Sequence, residues 1–114
     1  MMTQSRIDVF AEMAKQQPDD AMIRYGLASE YLKAERWSEA ADELRHVVRL
    51  NPDYTAAYQL LGSALMSQGR SEEARRVWTE GIAVAKRTGA WKAGQHMERL
   101  LAESDSGAGP QFCE

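Results

Sequence analysis

The chain has 114 residues, of which 44% are hydrophobic and 27% charged, with a formal net charge of -3 and a pI near 5.4. That is the balance of one globular domain, large enough to bury roughly two-thirds of its unfolded surface and without the basic field that draws in phosphate backbones or anionic lipid. The single cysteine, Cys113, excludes an internal disulfide, and no apolar run reaches the length of a signal-peptide core or membrane span, so a cytoplasmic protein binding neither nucleic acid nor membrane is expected.

From about Thr3 to Gln17, the residues Ile7, Phe10, Met13 and Ala14 fall at helical spacing. Pro18 ends the run because the residue before proline avoids the right-handed helical region. Asp19 or Asp20 can cap a second helix reaching about Ala34, with Ile23, Leu27, Ala28, Tyr31 and Leu32 on its apolar side. After the turn Glu35-Arg36-Trp37, a third helix opens at Trp37 or Ser38, carries Ala40, Ala41, Leu44, Val47, Val48 and Leu50, and stops at Asn51-Pro52. Asp53 is placed to cap a fourth helix from about Tyr54 to Ser67, and Gly69 is its expected left-handed terminator. Ser71 is the expected cap of a fifth, with Glu72 and Glu73 in the first turn and Gly89 at the end. A sixth, about Ala90 to Glu103, gathers Trp91, Gly94, Met97, Leu100 and Leu101 on one face. Residues 104–114 have the Ser, Gly and Pro content of a disordered tail following a single domain at 1–103.

Within this series the stretch from Ala21 to Lys86 is one pattern written twice. Thirty-four residues separate Leu27 from Leu61, Ala28 from Gly62, Ala40 from Ala74, Leu44 from Trp78 and Pro18 from Pro52. That period is the mark of a two-helix unit whose neighbours stack into a solenoid. Phe10 precedes Leu44 by the same interval, so the first helix is the second half of a preceding unit. Small residues at the matched positions let helices cross closely, and Gly81 lets a neighbour approach, since glycine inside a helix otherwise costs about 1 kcal/mol. Glu35 stands where the second copy has Gly69; a left-handed turn there would cost the first copy about 1 kcal/mol.

These residues resemble the tetratricopeptide repeat, in the form of a small bacterial-type member. The second copy offers Tyr58, Leu61-Gly62, Leu65, Ala74 and Trp78, with Lys86 where the family has proline. The first offers Leu27-Ala28, Tyr31, Ala40, Leu44 and Pro52, with Arg24 in place of the aromatic. The resemblance implies an all-α solenoid of antiparallel helix pairs: two full repeats, a half-repeat helix at the N-terminus and a capping helix at the C-terminus, about six helices in all. It also implies that the first helix of each pair lines a concave groove. The groove positions would be Met22, Tyr25, Ser29, Leu32 and Lys33, then Ala56, Gln59, Ser63, Met66 and Ser67, with Ala93 and Met97 from the last helix. This nearly uncharged, Met-containing surface suits a peptide or helix of a partner protein. The clamp with which some members grip a chaperone's terminal carboxylate would fall on Tyr25, Ser29, Leu60, Ala90 and Gly94, none of which is a cation.

Other chemistry finds little support. His46 and His96 lack the i, i+4 partner or neighbouring cysteine of a zinc site. The acidic pairs Asp19-Asp20 and Glu72-Glu73 are explained by helix starts, and the chain has neither a phosphate-cradling glycine loop nor a nucleophile elbow. The expectation is an adaptor without catalytic activity, cofactor or metal. The alternative is a module that associates with itself, weakly, because two full repeats fall short of the usual three.

Overall fold

The computed structural model describes the backbone of residues 5–113 and the side chains of residues 5–104. Six helices follow one another: α1 (Arg6–Gln16), α2 (Ala21–Lys33), α3 (Trp37–Leu50), α4 (Thr55–Ser67), α5 (Ser71–Thr88) and α6 (Trp91–Cys113). Each packs on the next, and α4 also touches α6. The result is two layers, α2, α4 and α6 in one and α1, α3 and α5 in the other, which is the expected all-α stack of helix pairs. The helix α6 continues past the expected boundary at Glu103 to Cys113. The side chains of residues 105–114, Cys113 among them, lie outside the described residues.

The core is built from the matched positions. Ala28, Ala40, Leu44, Val47, Ala64, Leu65 and Ala74 are fully buried. The largest buried group around α2 to α5 joins Leu44, Val47, Leu61 and Leu65; a second, around α5 and α6, joins Tyr58, Trp78, Val84, Ala85 and Met97. A β-carbon placed on Gly62 would overlap the Trp78 indole, whose Nε1–H donates to the Gln59 carbonyl at 3.2 Å. The glycine at the helix crossing is therefore what admits the largest side chain of the second copy.

Two chemically different residues do one job at matched positions. Arg24 Nε donates to the Pro18 carbonyl at 3.0 Å, and the Tyr58 hydroxyl donates to the Pro52 carbonyl at 2.9 Å. Each ties its helix to the proline turn before it. Arg24, substituting for the aromatic, brings a charge with it, and Glu43 on α3 neutralises that charge at 2.8 Å with both side chains about five-sixths buried.

The turns follow the sequence in part. Glu35 has φ 59, and Gly69 and Gly89 both have φ 80, so the turn after α2 does require a left-handed residue. Asp20 caps α2 by accepting from the Ile23 amide at 3.1 Å. Asp53 and Ser71 are not caps: the residues preceding α4 and α5 are Tyr54 and Arg70, and neither makes a side-chain cap bond. Asp53 lies one residue too early and instead pairs with Arg87 at 2.6 Å. Arg36 and Arg70, each at the N-cap of its helix, pair at 2.7 Å with Glu39 and Glu73 in the first turn.

The repeat is also not strictly periodic. The helices α2, α4 and α6 begin at residues 21, 55 and 91, intervals of 34 and then 36. Pro52 follows the end of α3 by two residues; its counterpart Lys86 permits the helical hydrogen-bond ladder to continue, so α5 runs to Thr88 and the loop to α6 shrinks to Gly89 and Ala90. Every residue of α6 is consequently displaced by two from the register expected of it.

Candidate functional site

The open face of the α2, α4 and α6 layer is where the expected groove falls. On α2, Met22 is 73% exposed, Lys33 is exposed, and Tyr25, Ser29 and Leu32 are half-buried. Ser29 Oγ donates back to the Tyr25 carbonyl at 3.0 Å, a bond that holds the hydroxyl close to its own helix. Leu32 packs partly against the core. Lys33 Nζ lies 3.3 Å from Glu30 Oε2, which also receives Arg6 Nε at 3.1 Å. Burial raises the Glu30 carboxyl's pKa, but the hydrogen bonds and charges of Arg6 and Lys33 outweigh it and leave the group below the ordinary carboxylate value.

On α4, Ala56, Gln59, Ser63 and Met66 are half-buried and Ser67 is exposed. Met66 touches both buried groups from this side. The side chain that the sequence did not place here is Tyr54. Its ring stacks on Tyr25 with centroids 5.0 Å apart and planes at 24°, an aromatic platform bridging α2 and the start of α4. Burial, then the neighbouring Tyr54, push the Tyr25 hydroxyl above its usual pKa, so both rings stay neutral at physiological pH and offer apolar faces with hydroxyl donors. The clue in the sequence was the matched position of Tyr54 and the Asp20 cap, obscured because Asp53 beside it has the chemistry of a cap.

On α6 the expectation needs correction. Met97 is fully buried, with its sulfur 2.6 Å from where a β-carbon on Gly81 would lie. Ala93 is half-buried and packs toward the same group. With the 36-residue interval, Met97 is the counterpart of core Leu61, and the counterparts of Ala56, Gln59 and Ser63 are Lys92, Gln95 and Arg99. All three are exposed. The same shift moves the two clamp positions of the last helix from Ala90 and Gly94 to Lys92 and His96, so one of them is a lysine, where the clamp positions of α2 and α4 hold Tyr25, Ser29 and Leu60. His96 Nδ1 is 3.3 Å from Arg99 Nη1.

The face therefore has two chemical ends: an aromatic and methionine-bearing stretch on α2 and α4 whose one cation, Lys33, is paired with Glu30, and a polar stretch with Lys92 and Arg99 on α6. Among the described residues no three His, Cys, Asp or Glu side chains gather as metal ligands, and no helix is long and apolar enough to cross a membrane.

Comparison with known proteins places this arrangement among relatives. The tetratricopeptide repeat family model matches residues 25–89. A TPR repeat-containing protein of Pseudomonas aeruginosa is 33% identical over 99 residues, covering 87% of this chain and 94% of that protein. The solution structure of a protein from Bordetella parapertussis superposes with a TM-score of 0.78 at 27% identity, over 89% of this chain and 88% of that one. The TPR2B domain of yeast Sti1, solved as a pHsp70 complex, has the same fold at TM-score 0.83 and 16% identity, covering 89% of this chain and 81% of that one.

Proposed function

The chain belongs to the tetratricopeptide repeat family, and from that premise we propose that it is an interaction adaptor that holds a peptide or helix of a partner protein along the concave face of α2, α4 and α6. The observation that carries this reading is the Tyr25–Tyr54 stack at 5.0 Å, beside Met22 with 73% of its surface exposed. An exposed methionine next to an aromatic platform is an adaptable seat for apolar side chains. The complex of the Sti1 domain with pHsp70 supports peptide binding by this fold in general.

The chemistry of the face defines a partner class. An apolar or aromatic anchor fits Met22, Tyr25 and Tyr54, backbone or amide groups fit Gln59, Ser63 and Gln95, and an acidic group fits Lys92 and Arg99. Since α2 and α4 contribute one cation to this face, Lys33, already engaged with Glu30, the peptide's acidic end is oriented toward α6.

Selection from a random peptide library tests this, with Tyr25→Glu/Gln59→Glu protein used as the counter-selection. The expected result is enrichment of peptides carrying an apolar anchor followed by acidic residues, bound by the wild type and lost by the variant. A library whose selected peptides bind both proteins equally would refute the groove as the binding surface.

A further inference from the structure

The two ends of the stack are complementary halves of one repeat. The helix α1 matches α3 and α5, the second helices of their pairs, through Phe10, Leu44 and Trp78. The helix α6 matches α2 and α4, the first helices of their pairs. Three of the five exposed large apolar side chains among the described residues lie at these ends, Val9 and Met13 on α1 and Trp91, 65% exposed, on α6; the other two are Met22 on α2 and Leu50 on α3. Beside Trp91, an open cleft of about 180 Å³ is lined by Ile82, Ala85 and Lys86 of α5 and by Trp91, Gly94, Gln95 and Glu98 of α6, Gln95 being shared with the groove. Ile82 is the counterpart of Val48, which within the chain reaches forward to the next helix pair, so this cleft corresponds to the seat that α5 takes on α3 and α4.

We propose that copies of this chain stack head to tail, with α1 of one copy seated in the α5–α6 cleft of the copy before it. The register supplies the complementarity. Within the chain, Tyr58 of α4 lies against Gly81 of α5, its Cβ 2.6 Å from an ideal β-carbon on that glycine. Across the junction the counterparts are Gly94 and Met13: the large and small partners have exchanged helices and still fit. At the positions of Gly62 and Ala74, both buried within the chain, the junction has Glu98 and Arg6, which are of opposite charge. Arg6 keeps 73% of its side chain exposed while touching Glu30, so it can reach across. Phe10 does not compete for the seat that Trp78 takes on Gly62, because its ring is already packed against Gly26. Such a contact is heterologous and does not close on itself, so it extends into open chains.

Sedimentation velocity tests this with the full chain from about 10 μM to about 1 mM, the affinity range suited to an interface smaller than the standard size. Two end-blocked proteins are compared, Val9→Glu/Met13→Glu and Trp91→Glu. Wild type is expected to grow in mass with concentration, each blocked protein to remain monomeric, and their equimolar mixture to stop at a dimer, since each retains one working end. If far-UV circular dichroism shows either blocked protein unfolded, Glu98→Arg and Arg6→Glu replace them as the pair; each alone is then expected to remain monomeric, and their equimolar mixture, in which every junction regains opposite charges, to grow in mass as the wild type does. A wild type monomeric at ~1 mM, a blocked protein that associates like wild type, or a mixture that fails to dimerise overturns the proposal. Association appearing only after removal of residues 105–114 also overturns it, since it assigns the cleft to the chain's own end.

Discussion

Met97 and Gly81 meet so closely that the Met97 sulfur would lie 2.6 Å from a β-carbon on the glycine, and Tyr58 Cβ approaches the same point to 2.6 Å from the other side. Three helices converge here, and only the missing side chain allows it. Alanine would gain about 1 kcal/mol of helix propensity at this position but must displace a backbone-anchored Cβ as well as a flexible thioether. Gly81→Ala should therefore destabilise the fold by about 1–3 kcal/mol in urea denaturation. A neutral or stabilising outcome would mean that α4, α5 and α6 are not packed as described.

A second prediction concerns the length of α5. The family pattern puts proline at position 86, and the first repeat obeys it at Pro52. Because α5 here continues to Thr88, Lys86→Pro removes an interior hydrogen bond and brings a ring against the preceding turn, with an expected cost of about 3 kcal/mol. Thermal denaturation decides it. If the substitution is tolerated, α5 ends near residue 84, and the displaced register of α6 is wrong with it.

Glu35 offers the opposite case. Its φ of 59 lies where a side chain is strained, and its matched residue Gly69 adopts φ 80 in the same turn. Glu35→Gly should leave stability unchanged or raise it by up to about 1 kcal/mol, relief of strain being partly offset by the greater freedom of the unfolded chain. A clear drop in melting temperature would show that the Glu35 side chain has a structural role.

How much of this was legible in the sequence follows from which signals are local. The pairing of helices, the small crossing residues and the left-handed turn at Glu35 were readable because each repeats at one interval. The α6 side of the groove was not, because one missing proline at Lys86 shifts all that follows by two residues, and periodicity carried forward then misassigns core Met97 to the surface. Asp53 misled for a different reason. Aspartate before a helix is a cap by composition, but capping depends on a single position, and Tyr54 occupies it.

The acid limb of stability should depend on Glu30. Its pKa in the fold lies below the ordinary value of 4.5, so the unfolded chain binds its proton first as pH falls. The Glu30 contribution is present above about pH 4.5 and disappears as the pH drops through the lower folded value. Glu30→Gln should accordingly be less stable than wild type at pH 7 and converge with it in acid. Denaturation curves for both proteins between about pH 7 and about pH 3 check this; a gap that stays constant across the range would show that Arg6 and Lys33 do not stabilise the charged carboxyl.

The central claim is that a partner lies along α2, α4 and α6, and amide shift mapping of isotopically labelled protein tests it most directly, with a library-selected peptide as the titrant. The perturbed amides should trace Tyr25, Ser29, Gln59 and Ser63 and continue to Gln95 and Arg99, leaving Ala93 and Met97 among the lesser responders. Perturbations confined to α1, α3 and α5 would contradict the account.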